Sequence, residues 1–183
     1  MVDHRNDSFL YAGSRVGIRR LSVQDQEEFT KLVNESGELL FPWVILPETP
    51  TKFDEYIKRF DGVNAECILI CELKSGSIVG TVSIVQILRG PYERGTIGYN
   101  SFAPWVGRGY MFEGLSLVFQ FAFDDLGLHR LEADIQPDNK PSLRLAAKVG
   151  FRREGYSPAF IYVHGAWRDH ERWAIIREMT QKE

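Results

Sequence analysis

A chain of 183 residues is long enough to bury a substantial core in one domain, and we predict a single domain over residues 1–183. The formal net charge of -3 excludes a typical nucleic-acid-binding domain, which would be basic. No run of about 18 or more apolar residues is present, and the polar residues 1–8 lack the apolar centre of a signal peptide. We therefore expect a cytoplasmic protein with neither nucleic-acid nor membrane partners.

The two cysteines, Cys67 and Cys71, lie close together in a predicted strand. At strand rise their separation is about 13 Å, which is too long for a disulfide bond. No further Cys or His pair stands at metal-ligand spacing, so we predict no metal site. The two thiols are expected to be buried as small apolar groups in a reducing compartment.

The first part of the chain predicts one strand followed by two helices. Residues 15–21 alternate in polarity, as a strand does, and Ser22 can cap the helix that follows. Residues 39–44 form an apolar, aromatic loop around Trp43, and residues 51–60 predict a second helix. The loop could either cover the core or form the wall of a substrate pocket, and the sequence leaves both interpretations open.

Three strands and a long helix follow. Residues 66–73 and 78–88 predict two strands joined by a hairpin turn, and residues 96–102 predict a third. Apolar residues then recur with the 3.6-residue period of an amphipathic helix, from Met111 to near Gly127.

The junction before this helix contains Gly107 and Gly109. Two glycines there allow several backbone N–H groups to approach a ligand closely, and the positive end of the helix dipole lies behind them. This arrangement is typical of a phosphate-binding loop, although a glycine pair also occurs in ordinary tight turns. The loop is not a Walker motif, since no Gly-Lys-Ser/Thr follows, and Phe112 prevents a complete Gly-x-Gly-x-x-Gly/Ala motif.

The last part of the chain predicts a strand, a helix and two further strands. Residues 130–135 alternate as a strand, and Asn139 can cap a helix that ends near Gly150. Residues 160–164 and 172–177 predict the final strands. The predicted order is β-α-α-β-β-β-α-β-α-β-β, which is an α/β or α+β domain with a mixed sheet.

Six motifs stand in order in the second half of the chain: Ile97-Gly98-Tyr99, Trp105-x-Gly107-x-Gly109-Tyr110-Met111-x-Glu113, His129-Arg130-Leu131-Glu132-Ala133, Pro137-x-Asn139-x-x-Ser142, Val149-Gly150-Phe151-x-x-Glu154-Gly155-Tyr156 and Gly165-x-Trp167-Arg168-Asp169-His170. Together they resemble the GNAT superfamily of acetyl-CoA-dependent N-acetyltransferases. More narrowly, they resemble its RimJ/RimL-type ribosomal-protein N-terminal acetyltransferases. The order of the predicted elements extends the resemblance over nearly all of the chain.

The resemblance implies a GNAT-like α/β (α+β) fold, whose mixed, mostly antiparallel central sheet carries helices on both faces and is splayed between its fourth and fifth strands. Acetyl-CoA is the implied co-substrate and would lie in that opening. Backbone groups of Phe102 and Ala103 would bind the pantetheine amides like an added strand. Pro104 replaces the Gln or Arg that usually begins the glycine loop, which leaves Arg108 and the backbone amides to hold the pyrophosphate. Those amides belong to Gly107, Arg108, Gly109, Tyr110 and Met111.

Two polar residues at the start of the last predicted helix carry the implied catalytic roles, and both are expected to contact the bound co-substrate. Asn139 matches the family asparagine that hydrogen-bonds the cofactor or an ordered water near the thioester, although a helix cap also explains this residue. Ser142 corresponds to a serine that protonates the departing thiolate or donates a hydrogen bond to it. Many members place a Tyr in this helix where the chain has Ala146, so the assignment of Ser142 carries more weight.

Acetyl transfer needs little from the protein beyond positioning of the amine and the thioester. The acceptor amine attacks the thioester carbonyl, and backbone N–H groups of the splayed strand can stabilise the oxyanion. A protein α-amino group has a pKa of about 7.7–8.0, so part of it is neutral near pH 7, whereas a lysine amine at about 10.4 needs more help. We interpret Glu93, a carboxylate near that strand, as a solvated loop residue. The lack of an obvious strong base favours an N-terminal acceptor.

Trp43, Tyr99 and Tyr162 are predicted to wall the acceptor pocket. The first functional hypothesis is acetylation of a protein N-terminus, of the ribosomal-protein-alanine type. The second is acetylation of a small amine, such as a polyamine or an aminoglycoside, and the third is an acyl-CoA-binding module without activity. The sequence leaves open both the acceptor and the oligomeric state, for which a homodimer is one alternative.

Overall fold

An eight-stranded sheet organises the computed structural model, which describes residues 9–180. The strands are β1 Tyr11–Ala12, β2 Val16–Arg20, β3 Glu66–Glu72, β4 Ile78–Leu88, β5 Arg94–Ser101, β6 Arg130–Ile135, β7 Arg152–Val163 and β8 Ala166–Ile176. The helices are α1 Gln26–Glu35, α2 Gly37–Leu40, α3 Pro50–Ile57, α4 Tyr110–Gln120 and α5 Lys140–Val149. A wider turn of π-helix, Phe121–Asp125, continues α4.

Local signals account for the start and end of several helices. Ser22 and Asp25 form a capping box ahead of α1. The Asp25 carboxylate accepts the Ser22 N–H, and the Ser22 hydroxyl accepts the Gln24 N–H. The Asn139 side chain accepts the N–H of Ser142 and so caps α5. Gly150 ends the same helix in the left-handed conformation, with φ of 102°. The predicted caps of these helices are therefore confirmed.

Three local predictions were incomplete. The last two strands are much longer than the predicted residues 160–164 and 172–177, because β7 and β8 pair along a long hairpin whose exposed, charged faces hide the apolar alternation. The two-residue strand β1 is too short to produce a pattern in the sequence. The apolar stretch at 39–44 is not wholly a loop, since the short helix α2 ends within it.

The strand order is β1-β2-β3-β4-β5-β6-β8-β7, and among the described strands only β5 and β6 pair in parallel. Their ladder stops after Thr96 opposite Glu132, although β5 continues to Ser101 and β6 to Ile135. The two strands therefore diverge and leave a V-shaped opening in the sheet. This confirms the predicted splay. The short strand β1 was not predicted, so the two strands that part are the fifth and sixth of the chain rather than the fourth and fifth.

Each face of the sheet carries its own apolar core. Helices α4 and α5 cover one face, where Gly114 lets α4 approach the sheet so closely that a Cβ there would lie 2.5 Å from Ile70 Cδ1. Helices α1 and α3 cover the other face. Phe29 lies at its centre, with its ring centroid 5.5 Å from those of both Phe53 and Phe102. The end of β5 is thereby held in the core beside the opening.

Both cysteines are buried on β3 as free thiols, as predicted. Burial raises the pKa of each thiol to about 11, so both remain protonated and unreactive near neutral pH. Within residues 9–180, none of the helices combines the length and the apolar character needed to span a bilayer.

Candidate active site

Two cavities meet at the opening between β5 and β6. The first, which we call the glycine-loop cavity, has a volume of about 300 Å³ and is lined by the loop before α4 and by α5. The second, the polar cavity, has about 270 Å³ and lies between α3 and the strands. Five residues line both cavities: Trp43, Tyr99, Asn100, Asn139 and Ser142. Four of them were predicted site residues from distant parts of the chain, and the fold brings them together.

The glycine loop has the geometry of an anion cradle. Gly107 and Gly109 have φ of 75° and 78°, in the left-handed region that favours glycine. No side chain caps α4 at Gly109, so the first N–H groups of this helix are available to a ligand. A Cβ added at Gly107 would meet no atom of the described residues within 4 Å. An anion can therefore come close to the backbone here.

Arg15 fixes this loop from the far end of the chain. Its guanidinium donates to the Arg108 carbonyl at 2.9 Å and pairs with Glu113 on α4, also at 2.9 Å. The Arg108 guanidinium lies 5.5 Å from the centroid of the Trp105 ring. Arg15 thus braces the loop against α4 while Glu113 balances its charge, and Arg108 provides positive charge in the loop itself. Only Arg108 could be predicted, since Arg15 is 93 residues away in sequence.

The backbone at the end of β5 is used differently from the sequence prediction. The Phe102 N–H donates to Val79 O at 3.0 Å, and the Ala103 N–H donates to Ser36 Oγ at 2.8 Å. Neither N–H is free for a ligand. Because backbone groups alternate in direction along a strand, those of Tyr99 and Ser101 point away from β4, toward the opening.

Ser101 is the residue of β5 that is best placed for a ligand in the glycine-loop cavity. Its Oγ is buried and has no hydrogen-bond partner among residues 9–180. A buried hydroxyl without a partner is costly in a folded protein, so the site suits a ligand that carries amide groups. Together with the uncapped helix, this fits a ligand with a phosphate end and an amide-containing arm.

The residues at the junction of the cavities are held in place by hydrogen bonds. The Asn139 Oδ1 accepts the Ser142 N–H at 3.2 Å, so the helix-cap role is present whatever else this residue does. The Tyr99 hydroxyl donates to the Ser142 carbonyl at 3.0 Å and ties β5 to α5 across the opening. Burial raises the pKa of Tyr99, which keeps this hydroxyl protonated. Ala146 is buried in the core.

The polar cavity contains residues that the sequence analysis missed. Its described lining includes hydroxyl and amide side chains, an imidazole, one carboxylate and one guanidinium: Thr81, Ser83, Asn100, Gln136, His170, Asp134 and Arg59. The Gln136 amide lies 3.5 Å from the Trp43 carbonyl and links the aromatic loop to β6. These residues come from five separate elements. Only the polar alternation at Thr81 and Ser83, and at Glu132 and Asp134, gave a signal in the sequence.

Other candidates lie away from the cavities. Tyr162 is 60% exposed on β7 with its ring centroid 5.5 Å from that of Trp167, and the lining of neither cavity includes it among residues 9–180. It would contact only an acceptor that extends to this hairpin.

The Glu93 carboxylate accepts the Gly90 N–H at 2.8 Å and belongs to a turn. Asp169 accepts the Ala159 N–H at 2.7 Å and so stabilises an irregular step in β7, in keeping with a structural role. Within the described part of the chain, no group of three or more His, Cys, Asp or Glu side chains could hold a metal ion.

The splayed sheet with an uncapped glycine loop at its opening defines a class of acyl-CoA-dependent transferases, and the family comparison agrees. Residues 15–152 match the model of the acetyltransferase (GNAT) domain, so the chain belongs to the GNAT acetyltransferase family. It is an acetyl-CoA-dependent N-acetyltransferase.

Individual relatives and solved structures extend this result. The chain is 32% identical over 172 residues to the probable N-acetyltransferase YjcK of Bacillus subtilis (strain 168), covering 90% of this chain and 95% of the relative. It is 34% identical over 93 residues to the [ribosomal protein uS5]-alanine N-acetyltransferase of Escherichia coli (strain K12), covering 51% of this chain and 48% of that protein. The structure of Mycobacterium smegmatis RimJ in complex with CoA-disulfide superposes with a TM-score of 0.84 at 26% identity, covering 92% of this chain and 85% of RimJ.

Proposed function

We propose that this protein acetylates the N-terminal α-amino group of a protein. The observation that carries the proposal is the charge of the polar cavity. Its described lining contains a single carboxylate, Asp134, together with the guanidinium of Arg59. A polyamine or an aminoglycoside carries several positive charges, which favour a site with several carboxylates. A chain terminus carries one ammonium group, and the hydroxyl and amide side chains of this cavity suit the peptide groups that follow it.

The relationship to N-terminal acetyltransferases supports the same acceptor. The Escherichia coli relative acts on an alanine of ribosomal protein uS5, and the aligned region in this chain covers half of its length. Alanine has a small side chain, in accordance with a cavity of about 270 Å³. We therefore expect small first residues, such as Ala or Ser, to be preferred.

The two cavities have distinct proposed roles. In the glycine-loop cavity, the backbone amides from Gly107 to Met111 would hold the pyrophosphate. The backbone of Tyr99 and Ser101, with the Ser101 hydroxyl, would bind the pantetheine arm in place of the occupied groups of Phe102 and Ala103. Acetyl-CoA supplies an activated acetyl group at the junction of the cavities. The acceptor would enter through the polar cavity, with Trp43 and Tyr99 as its walls.

The residues at the junction would handle the departing group. The amine nitrogen forms a bond to the acetyl carbon, and the carbon–sulfur bond breaks. Ser142, in the first turn of α5, would give its hydroxyl proton to the sulfur and regain one from the amine. Asn139 would hold a water or the co-substrate near the thioester while it caps the helix. The partial positive charge at the N-terminus of α5 favours both the thiolate and the oxyanion.

A panel of amines tests the acceptor class. Release of free thiol from acetyl-CoA would be measured with short peptides that begin with Ala or Ser, with N-blocked peptides that contain an internal Lys, with spermine and with an aminoglycoside. Turnover confined to the free N-termini is the expected result. Turnover of spermine or the aminoglycoside with no turnover of the peptides would refute the proposal and assign the enzyme to small amines.

A further inference from the structure

We infer that Asp134 is the carboxylate that receives the ammonium group of the acceptor and removes its first proton. The proposed function supplies the expected acceptor, but the inference applies to any amine that the enzyme acetylates. No other carboxylate in the described part of the chain lines the polar cavity.

The place of Asp134 in the sheet points to this role. The β5–β6 ladder ends at Glu132, so Asp134 is the next residue on the same face of β6, just past the point where the strands part. The residues that alternate with it, Leu131, Ala133 and Ile135, face the core under α4 and α5. The Asp134 side chain therefore faces the polar cavity, whose lining also includes Asn139 and Ser142.

The charge of Asp134 is paired with one guanidinium of the protein. Its side chain is 11% exposed, and Oδ1 lies 2.5 Å from Arg172 Nε on β8. The two side chains form a close ion pair, and Arg172 opposes the effect of burial on the pKa of this carboxylate. The same guanidinium also reaches Glu132 Oε2 at 3.6 Å. Glu132 also pairs with Arg94 and Arg130. Arg172 is therefore chiefly the partner of Asp134, and an ammonium group in the polar cavity would be a second cation beside this carboxylate.

A buried histidine also lies near Asp134. The His170 side chain is buried, and its Nδ1 lies 3.0 Å from the Arg168 carbonyl. Because a carbonyl oxygen only accepts, Nδ1 carries a hydrogen and donates it to Arg168. The charged and titratable groups around Asp134 are Arg172 and His170 on β8, Glu132 on its own strand and, across the cavity, Arg59 in the turn after α3.

Burial supports the choice of this carboxylate as a proton acceptor. Desolvation raises the pKa of Asp134 against the opposing effect of Arg172. A raised pKa brings the carboxylate closer to the pKa of an α-ammonium group, so proton transfer between them becomes less unfavourable. The same desolvation is relieved when a cation binds. Asp134 would therefore both attract the ammonium group and accept its proton.

The protons balance in this scheme. The α-ammonium group loses one proton to Asp134, and the free nitrogen then attacks the acetyl carbon. The carbon–sulfur bond breaks, and a second proton passes from the nitrogen through Ser142 to the thiolate. Asp134 afterwards releases its proton to water. The products are the acetylated amine, free thiol and one proton in solution.

Two isosteric variants test the inference. Asp134→Asn keeps the shape of the side chain and removes its charge, and Asp138→Asn makes the same change at an exposed residue outside both cavities. With whichever amine the wild type acetylates, we expect Asp134→Asn to lower kcat/KM by about tenfold to hundredfold, the range of a charge-assisted hydrogen bond. Binding of acetyl-CoA should change by less than about twofold, which also shows that the variant is folded. Asp138→Asn should behave as the wild type. Equal kcat/KM in Asp134→Asn and Asp138→Asn would overturn the inference.

A binding ratio separates the charge of Asp134 from a purely structural effect. The dissociation constant would be measured for a peptide that begins with Ala and for its analogue in which hydrogen replaces the amino group. The wild type should prefer the free amine by about tenfold or more, Asp134→Glu should keep a preference, and Asp134→Asn should lose it. An unchanged preference in Asp134→Asn would refute the role. If the wild type acetylates a small amine and not the peptide, the proposed function fails. The role of Asp134 is then tested by the ratio of the dissociation constants for that amine and for its amine-free analogue.

Discussion

Gly107→Ala separates the effect of a glycine on folding from its effect on the co-substrate. The φ of 75° at this position costs an L-residue about 1–2 kcal/mol, and the lower entropy of the unfolded alanine chain offsets part of this. The added Cβ meets no protein atom within 4 Å, so no packing penalty follows. We expect a net loss of about 1 kcal/mol in the free energy of unfolding, or about 2–4 °C in Tm for a domain of this size.

The effect on acetyl-CoA should be larger, because the methyl group would occupy the space in which the pyrophosphate approaches the backbone. Loss of one charge-assisted hydrogen bond would weaken binding by about tenfold to hundredfold. Gly76→Ala provides a matched control, since Gly76 has φ of 73° and no atom within 4 Å of its added Cβ, and it lies in the β3–β4 turn outside both cavities.

Isothermal titration calorimetry with acetyl-CoA and thermal unfolding of the unliganded protein would be performed on both variants. Similar losses of Tm, with weaker acetyl-CoA binding only in Gly107→Ala, are the expected outcome. Equal acetyl-CoA affinity in the two variants would remove the glycine loop from the proposed site. A much larger loss of Tm in Gly107→Ala than in Gly76→Ala would show that the first variant disturbs packing, against the reasoning above.

Two further predictions concern the reaction and the pH dependence of stability. Ser142→Ala should lower kcat by about tenfold or more while the affinity for acetyl-CoA changes little, and an unchanged kcat in pre-steady-state and steady-state assays would eliminate its role as an acid. Arg130 and Arg152 lower the pKa of Glu154 from its ordinary 4.5 to about 2, so this carboxylate stabilises the fold above pH 4.5 and loses that effect as the pH falls toward 2. Glu154→Gln should therefore lower Tm by about 1–3 °C at pH 6 and progressively less toward pH 3, consistent with a partly exposed ion pair, and a constant difference in Tm across this range would contradict the assignment.

The order of secondary structure elements could be predicted because its signals are local. Periodicity predicted α4, alternation predicted β6, and the caps Ser22 and Asn139 act within a few residues of themselves. The long hairpin of β7 and β8 was underestimated, since β7 has no buried residue and is stabilised by its pairing with β8.

The candidate site was predictable only where a motif marks it. The glycine loop, Asn139 and Ser142 could be found from their spacing, and their roles toward acetyl-CoA stay predictions. The engagement of the Phe102 and Ala103 N–H groups within the protein could not be found from the sequence, because their acceptors, Val79 and Ser36, are distant in the chain.

The sequence by itself therefore determined the family, the order of the elements and the presence of a glycine loop before α4, all of which depend on residues that are close together in the chain. The tertiary structure decided how Arg15 supports that loop and how Asp134, His170 and Arg59 meet in one cavity. These contacts join residues that are far apart in sequence. The cavity in which they meet lies where β5 and β6 diverge, and no local pattern specifies that divergence.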